Sequence, residues 1–268
     1  MANFSDIPLS QIDAQILKII ENSNLIIKEA FYKEKQLSYK KGFKFANNIL
    51  TETDKVVDDY LRKELGKISS EIGFLTEEGE HDLKELNWII DPIDATHNFA
   101  NNIPLFGTMI ALWHKNTPLY GLITFPMLLE TVHAISGRGL YLNGKKIMRN
   151  NTKHPHIFAT YGYVGSADDK LKLLNAIKDI VGVASNYRAT CYHIAMTALG
   201  RMDATLMIDL ALWDIAAGAI LAKEAGLSYR YIKSLPDVYT DNGEYKYKVI
   251  MAKPELEAKL SKKLKAIF

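Results

Sequence analysis

Between Ile72 and Ile135 the apolar residues fall into short runs, Ile72–Leu75, Trp88–Ile90, Thr108–Trp113, Tyr120–Phe125 and Thr131–Ile135, separated by turn-forming residues. Runs this short predict strands rather than helices, and so a sheet at the centre of the first half of the chain. Leu140-Tyr141-Leu142 followed by Asn143-Gly144 predicts a hairpin returning toward Lys146-Ile147, because both turn residues tolerate the positive φ that a two-residue hairpin needs.

Helical periodicity flanks this sheet. Ser10 with Asp13 resembles a capping box, and Ile12, Ile16, Leu17, Ile19, Ile20, Ile26 and Ile27 then recur as on a long amphipathic helix. A second helix is expected over about Thr53 to Lys67, with Val56, Val57, Tyr60, Leu61 and Leu65 as its apolar stripe. After residue 150 strand and helix alternate: Ile157–Tyr161, a helix near Asp168–Ile180, Cys191–Leu199 ending at Gly200, and Ala204–Ile208. A helix over Leu212–Ala225 ending at Gly226, strands near Leu227–Ile232 and Tyr247–Met251, and a last helix opened by Pro254 complete the order. The expected organisation is a mixed α+β lobe over residues 1–150, carrying most candidate ligands, and an α/β lobe over 151–268. With no Pro/Gly/Ser-rich linker, the boundary near 147–152 should be a packed seam within one compact unit.

A length of 268 residues with 48% hydrophobic composition supplies enough core for both lobes. Lys+Arg at 33 against Asp+Glu at 31 gives a net charge of +2, so global electrostatics indicate neither nucleic acid nor a membrane as a partner. The lone Cys191 excludes an internal disulfide and reads as a small buried residue in a reducing compartment. Met1 to Ser10 lacks the basic and apolar regions of an export signal, and no apolar run reaches transmembrane length, so a soluble cytoplasmic protein is expected.

The chemistry concentrates in Trp88-Ile89-Ile90-Asp91-Pro92-Ile93-Asp94-Ala95-Thr96-His97-Asn98-Phe99, where an apolar strand delivers two carboxylates three residues apart. Pro92 stops the strand's ladder, so Asp91, the Ile93 carbonyl and Asp94 can turn toward one point, and hard divalent cations take such oxygen ligands. Asp94 can also cap a short helix beginning near Ala95, leaving the amides of Ala95 and Thr96 to receive an anionic oxygen. A plain Asp-Pro turn with a helix cap fits this segment equally well. Glu77-Glu78, Asp214 after Trp213, and Asp54 in Thr51-Glu52-Thr53-Asp54 are further acids. Taken singly each reads as a solvated pair or a helix-start acid.

In combination they resemble the signature set of the inositol monophosphatase family: Thr51-x-x-Asp54, Glu77-Glu78, Asp91-Pro92-Ile93-Asp94-x-Thr96, and Trp213-Asp214-x-Ala216-Ala217-Gly218, in order. Asn98-Phe99 before Ile103-Pro104, and Gly137-x-Gly139-x-x-x-Asn143-Gly144, add to a resemblance running from about residue 10 to 260. It implies a layered αβαβα sandwich of the inositol monophosphatase and sugar phosphatase type, with metals at the junction of the lobes. It also implies a homodimer, and inhibition by Li⁺ at a Mg²⁺ site.

Residue by residue, the resemblance implies that Glu77, Asp91 and the Ile93 carbonyl hold one Mg²⁺, while Asp91, Asp94 and Asp214 hold a second. A third, weaker ion would lie near Glu77, giving two to three per site. Thr96 with Asp54 would position the attacking water, and Glu78 would support the ligands without touching an ion. Asp94, Ala95, Thr96, Arg188, His193 and Asp214 would surround the phosphate and the leaving group. A dianionic phosphate monoester repels nucleophiles, so cations must neutralise it, favour attack by water and stabilise the leaving alkoxide.

Several positions depart from the family pattern. Ala95 stands where Gly is usual, which is harmless at negative φ and costly in a left-handed turn. His97 replaces a frequent Thr and is expected to be structural. Asn48 replaces an Asp and Thr76 a Gly, neither removing a ligand. Inositol-preferring members carry a Glu six residues before the Trp-Asp pair, where this chain has Met207, with Asp209 the nearest acid. Tyr192 and His193, after Arg188, occupy a stretch where small residues are usual, so the pocket should be narrower and more aromatic. His193 can meet a ring or amine of the substrate, or simply pack on its helix. His154 and His156 read as surface residues. The expected activity is Mg²⁺-dependent hydrolysis of a small phosphate monoester, inositol 1-phosphate or a related polyol or sugar phosphate. The alternatives are histidinol phosphate or a nucleotide 3′-phosphate as substrate with the same mechanism, or a non-catalytic or moonlighting scaffold.

Overall fold

The structure, a computed structural model, describes residues 9–35, 37–39, 49–151, 156–162, 166–232, 235–238 and 246–267. Asn48, His154 and the segment before Leu9 lie outside them. The chain opens with α1 (Leu9–Phe31), whose buried Ile12, Ile16, Ile20, Ile27 and Phe31 form one stripe. Ser10 is thus inside the helix and not its cap, and Asp13 instead accepts the Tyr120 hydroxyl at 2.9 Å. A short antiparallel pair, β1 (Leu37–Tyr39) and β2 (Ile49–Thr51), leads into α2 (Glu52–Gly66), with Thr51 as its N-cap.

A seven-stranded sheet follows in chain order: β3 (Ile72–Thr76), β4 (Leu86–Asp94), β5 (Gly107–His114), β6 (Thr117–Phe125), β7 (Glu130–Ile135), β8 (Gly139–Leu142) and β9 (Lys145–Ile147), with the short helix α3 (Thr96–Ala100) between β4 and β5. Only β3 and β4 are parallel; the rest are antiparallel neighbours. Asn143 and Gly144, at φ 49° and 73°, close the β8–β9 hairpin as expected.

The second sheet has five strands in the order β11-β10-β12-β14-β13: β10 (Phe158–Tyr161), β11 (Val183–Ser185), β12 (Ala204–Leu210), β13 (Ser228–Tyr231) and β14 (Tyr247–Ala252). Its helices are α4 (Ala167–Ile177), α5 (Thr190–Ala198), α6 (Ala216–Glu224) and α7 (Pro254–Leu264), the last opened by Pro254. The side-chain alternation of the strands builds three apolar layers. Trp88, Ile90, Ile110 and Leu112 face α1 and α2; Ile89, Met109, Ala111 and Trp113 face inward onto α5 and α6, with Met207, Val249 and Met251 beyond. Leu206, Ile208, Ile250 and Ala252 face α4 and α7. The result is helix, sheet, helix, sheet, helix, the layered αβαβα sandwich. No helix among the described residues is long and apolar enough to cross a membrane.

Two local expectations are corrected. Pro92 does not end its strand: β4 runs on to Asp94 with one extra residue between the pairs Asp91–Met109 and Asp94–Gly107. A bulge accommodates a residue with no N–H to donate, and the Pro92 carbonyl accepts the buried Thr108 hydroxyl at 2.8 Å. The helix expected from Leu212 begins only at Ala216, because Trp213 and Asp214 occupy a turn whose Asp214 Oδ2 accepts the Ala211 N–H at 2.8 Å.

Candidate active site

Carboxylates from four separate segments converge at one end of the seven-stranded sheet. The bulge in β4 directs Asp91 and Asp94, while the turn before α6 brings Asp214; one oxygen of each lies within 4.8 Å of the others. Glu77 follows β3 directly, its N–H bonded to the Ile90 carbonyl at 3.1 Å, and its carboxylate makes a hydrogen-bonding contact with Asp91. Asp94 Oδ2 accepts the Cys191 N–H at 2.8 Å, which ties the first sheet to the start of α5.

Asp54 joins from α2. Its Oδ2 accepts the Thr51 N–H at 2.8 Å and the Thr51 hydroxyl, and its Oδ1 lies 3.1 Å from Thr96 Oγ1. The Thr96 hydroxyl is also 2.9 Å from the Ile93 carbonyl, so its single proton serves one acceptor at a time. Glu78 is half-buried in the turn beside Glu77. Ala95 is the N-cap residue of α3 with φ 70°, the left-handed conformation and so the costly branch of the sequence expectation. Asp94 makes no side-chain cap there, because its carboxylate is turned to Cys191.

The electrostatics are one-sided. Burial, then the charges of Glu77, Asp94 and Asp214, push the Asp91 carboxyl well above its ordinary value. Burial raises Asp94 to about 6 against the hydrogen bonds from Cys191, and Asp54 to about 6 against those from Thr51. Asp214 goes to about 8, from burial and then from Glu77 and Asp94, with Lys246 opposing. Asp91 Oδ1 is buried with no hydrogen-bond partner. A buried acceptor in a crowd of like charges is costly, and a hard divalent cation supplies the missing charge and ligation, so this donor set fits one.

On the aromatic side of the site the structure decides between the two readings of His193. His193 is fully buried; its Nε2 accepts the Tyr187 N–H at 3.1 Å, and burial drives its pKa down to about 3. His193 therefore braces the Tyr187 loop from beneath and does not present its ring to a substrate. Arg188 is exposed at φ 54°, its N–H bonded to Asn186 Oδ1 at 2.7 Å. Its charge adds to burial in lowering the pKa of the half-buried His97. Tyr192 meets Phe125 and Tyr187 edge-on, with centroids 6.0 and 5.3 Å apart. Met207 is buried in the central core, and Asp209, at the bulge in β12, is paired with Lys248. His156 is exposed.

Sequence reasoning assigned no role to Asn98 Nδ2, which ties α3 to the carbonyls of Leu105 and Tyr187 at 2.8 and 3.0 Å. It also missed Asp58 on α2, buried and raised to about 6. Its spacing of four from Asp54 was the available signal, since that interval puts both on one helix face.

The model of the inositol monophosphatase family matches residues 9–266. The inositol-1-monophosphatase of Bacillus subtilis is 31% identical over 205 residues, 73% of this chain and 77% of its own. The Nus factor SuhB of Pseudomonas aeruginosa is 30% identical over 197 residues, 68% of this chain and 72% of its own. Among solved structures, an IMPase/NADP phosphatase complexed with Mg²⁺ and phosphate superposes with a TM-score of 0.81 at 19% identity, covering 96% of each chain.

Proposed function

The chain belongs to the inositol monophosphatase family of phosphatases, and from that premise we propose that it hydrolyses a small soluble phosphate monoester, inositol 1-phosphate or a related polyol or sugar phosphate, with Mg²⁺ as cofactor. The observation that carries this reading is the meeting of Asp91, Asp94 and Asp214 beside Glu77, with Asp91 Oδ1 buried and unpartnered. The shared fold of the structure bound to Mg²⁺ and phosphate supports the choice of ion. In this reading Glu77, Asp91 and the Ile93 carbonyl would hold one cation, and Asp91, Asp94 and Asp214 a second. Glu77 would also serve a third, weaker one, with Glu78 supporting the turn. When bound, the cations neutralise the phosphate oxygens and stabilise the charge that develops on attacking and leaving oxygens.

The chain's own groups do the positioning. Thr96 donates its proton to Asp54 or to the Ile93 carbonyl, and its oxygen then accepts from the attacking water. Asp54, raised to about 6, is suited to take a proton near neutral pH. The N–H groups of Ala95 and Thr96 precede the first bond of α3, from Asn98 N–H to the Ala95 carbonyl, and face the phosphate in this reading. Arg188, exposed and close enough to His97 for its charge to be felt there, would meet the leaving group in this reading. The expected homodimer and Li⁺ inhibition belong to the same proposal.

The burial of Met207 and the pairing of Asp209 with Lys248 weigh against a strict inositol enzyme. The Tyr187–Tyr192 pair favours, as a second reading, a ring-bearing leaving group such as that of histidinol phosphate or a nucleotide 3′-phosphate. The SuhB relative motivates a scaffold role as well. Phosphate release from inositol 1-phosphate, glycerol 2-phosphate, histidinol phosphate, fructose 1,6-bisphosphate and adenosine 3′,5′-bisphosphate, with Mg²⁺, EDTA or Li⁺, separates these readings. Mg²⁺-dependent turnover concentrated on one ester supports the enzyme and names its leaving group, whereas no release from any compound favours the scaffold.

A further inference from the structure

We propose that Thr76, Asp58 and Arg62 form a clamp that positions Glu77 for cation binding, with the Thr76 hydroxyl as its hub. The proposal rests on the cation reading given above and adds to it residues that act only through Glu77. Thr76 is the last residue of β3, fully buried, and directly precedes Glu77. Its Oγ1 accepts the Gly79 N–H at 3.0 Å and Arg62 Nη1 at 3.4 Å, and donates to Asp58 Oδ2 at 3.4 Å. That uses both lone pairs and the proton of one hydroxyl.

Arg62 also donates to the Glu80 carbonyl at 2.7 Å and lies over the Phe74 ring at 5.1 Å, so α2 grips the turn at both Thr76 and Glu80. His81 Nε2 donates to the Thr76 carbonyl at 3.0 Å, and its ring meets that of Trp213, the neighbour of Asp214, at 6.3 Å. Shape agrees with bonding. A Cβ on Gly79 would stand 2.5 Å from Asp58 Oδ2, 2.8 Å from Thr76 Oγ1 and 2.9 Å from Arg62 Nη1, so a side chain there would displace the clamp's own groups. Asp58 lies one helical turn beyond Asp54, both buried on α2. One helix thus presents Asp54 to Thr96 and Asp58 to Thr76, which couples the placement of Glu77 to that of Asp54.

The test compares Thr76→Val, which keeps the shape and removes the hydroxyl, with Thr76→Ser, which keeps the hydroxyl. Mn²⁺ binding is followed by electron paramagnetic resonance of the free ion, with Tm in EDTA measured alongside. Removal of groups that orient metal ligands weakens affinity about 10-fold or more, so Thr76→Val should raise the Mn²⁺ dissociation constant by about 10-fold. Thr76→Ser should match the unaltered protein. Should Thr76→Val not fold, Asp58→Asn is read in the same way. Thr76→Val, or Asp58→Asn in its place, binding Mn²⁺ like the unaltered protein, whatever its Tm, overturns the clamp. Failure of the unaltered protein itself to bind Mn²⁺ is a separate result that removes the cation reading and the clamp together.

Discussion

At Asp91 burial and three neighbouring carboxylates act in one direction, and no hydrogen bond relieves Oδ1. Asp91→Asn removes one of those charges without changing volume. Turnover should be abolished, while Tm in EDTA should equal or exceed that of the unaltered protein; near-normal activity would sink the assignment of Asp91 as the ligand common to both cations. Ala95 is the other residue whose position decides a prediction. Its left-handed φ of 70° costs about 1–2 kcal/mol, of which glycine's greater freedom in the unfolded chain takes back about 0.5–1 kcal/mol. Ala95→Gly should therefore stabilise by about 0.5–1 kcal/mol in urea unfolding. A loss of stability would mean that the Ala95 methyl group packs more favourably than its backbone is strained. These residues were named from sequence because their chemistry is local, two acids flanking a proline and an alanine in a turn. The fate of His193 was not local: whether its ring meets a substrate or the Tyr187 amide depends on which loop crosses α5.

Among the elements, α6 carries most weight for the site, because its preceding turn holds Asp214 and its face lies against β6. Gly121 on β6 lies tight against it; a Cβ there would stand 2.5 Å from Ile220 Cγ2 and 2.7 Å from the Ala217 carbonyl. Gly121→Ala should push α6 outward at a cost of about 1–3 kcal/mol and raise the Mg²⁺ concentration needed for half-maximal activity. Calorimetry and a Mg²⁺ titration check the two parts. A lower Tm with an unchanged Mg²⁺ requirement would show that the Asp214 turn is held independently of the helix. The seven-stranded sheet was legible because its longer strands are continuous apolar runs and one hairpin has Asn-Gly at its turn. The three-residue strands β1, β2 and β11 were not, since so few residues carry no period. The start of α6 was misplaced by four residues, because an apolar stretch does not reveal that Asp214 bonds backward to Ala211 and delays the helix.

On the scale of the whole molecule, the site places a destabilising charge cluster at the junction of two sheets, which a bound cation would offset. Asp54 and Asp94 are raised from 3.8 to about 6 and Asp214 to about 8. In that interval the folded state holds more protons than the unfolded one, so stability falls as pH rises. Their contribution is greatest below about pH 4 and is lost progressively up to about pH 8. Metal-free protein in EDTA should therefore show a Tm that declines from pH 5 to 8, after allowance for other groups. Saturating Mg²⁺ should reduce or reverse the decline, because it favours the ionised carboxylates. A Tm in EDTA that rises over this range would contradict the site's electrostatic character.

The strand-rich first half, the alternating second half and the identity of the acids are all readable along the chain, since hydrophobic period and residue chemistry are properties of short segments. Folding brings Asp91, Asp94 and Asp214, separated by up to 123 positions, within 4.8 Å of one another. Folding likewise turns His193 inward and sets Asp58, Arg62 and Thr76 around the Glu77 turn. The reason is physical: a side chain's neighbours across a fold depend on bulges, helix starts and loop crossings that place one segment against another, and no single segment contains that information.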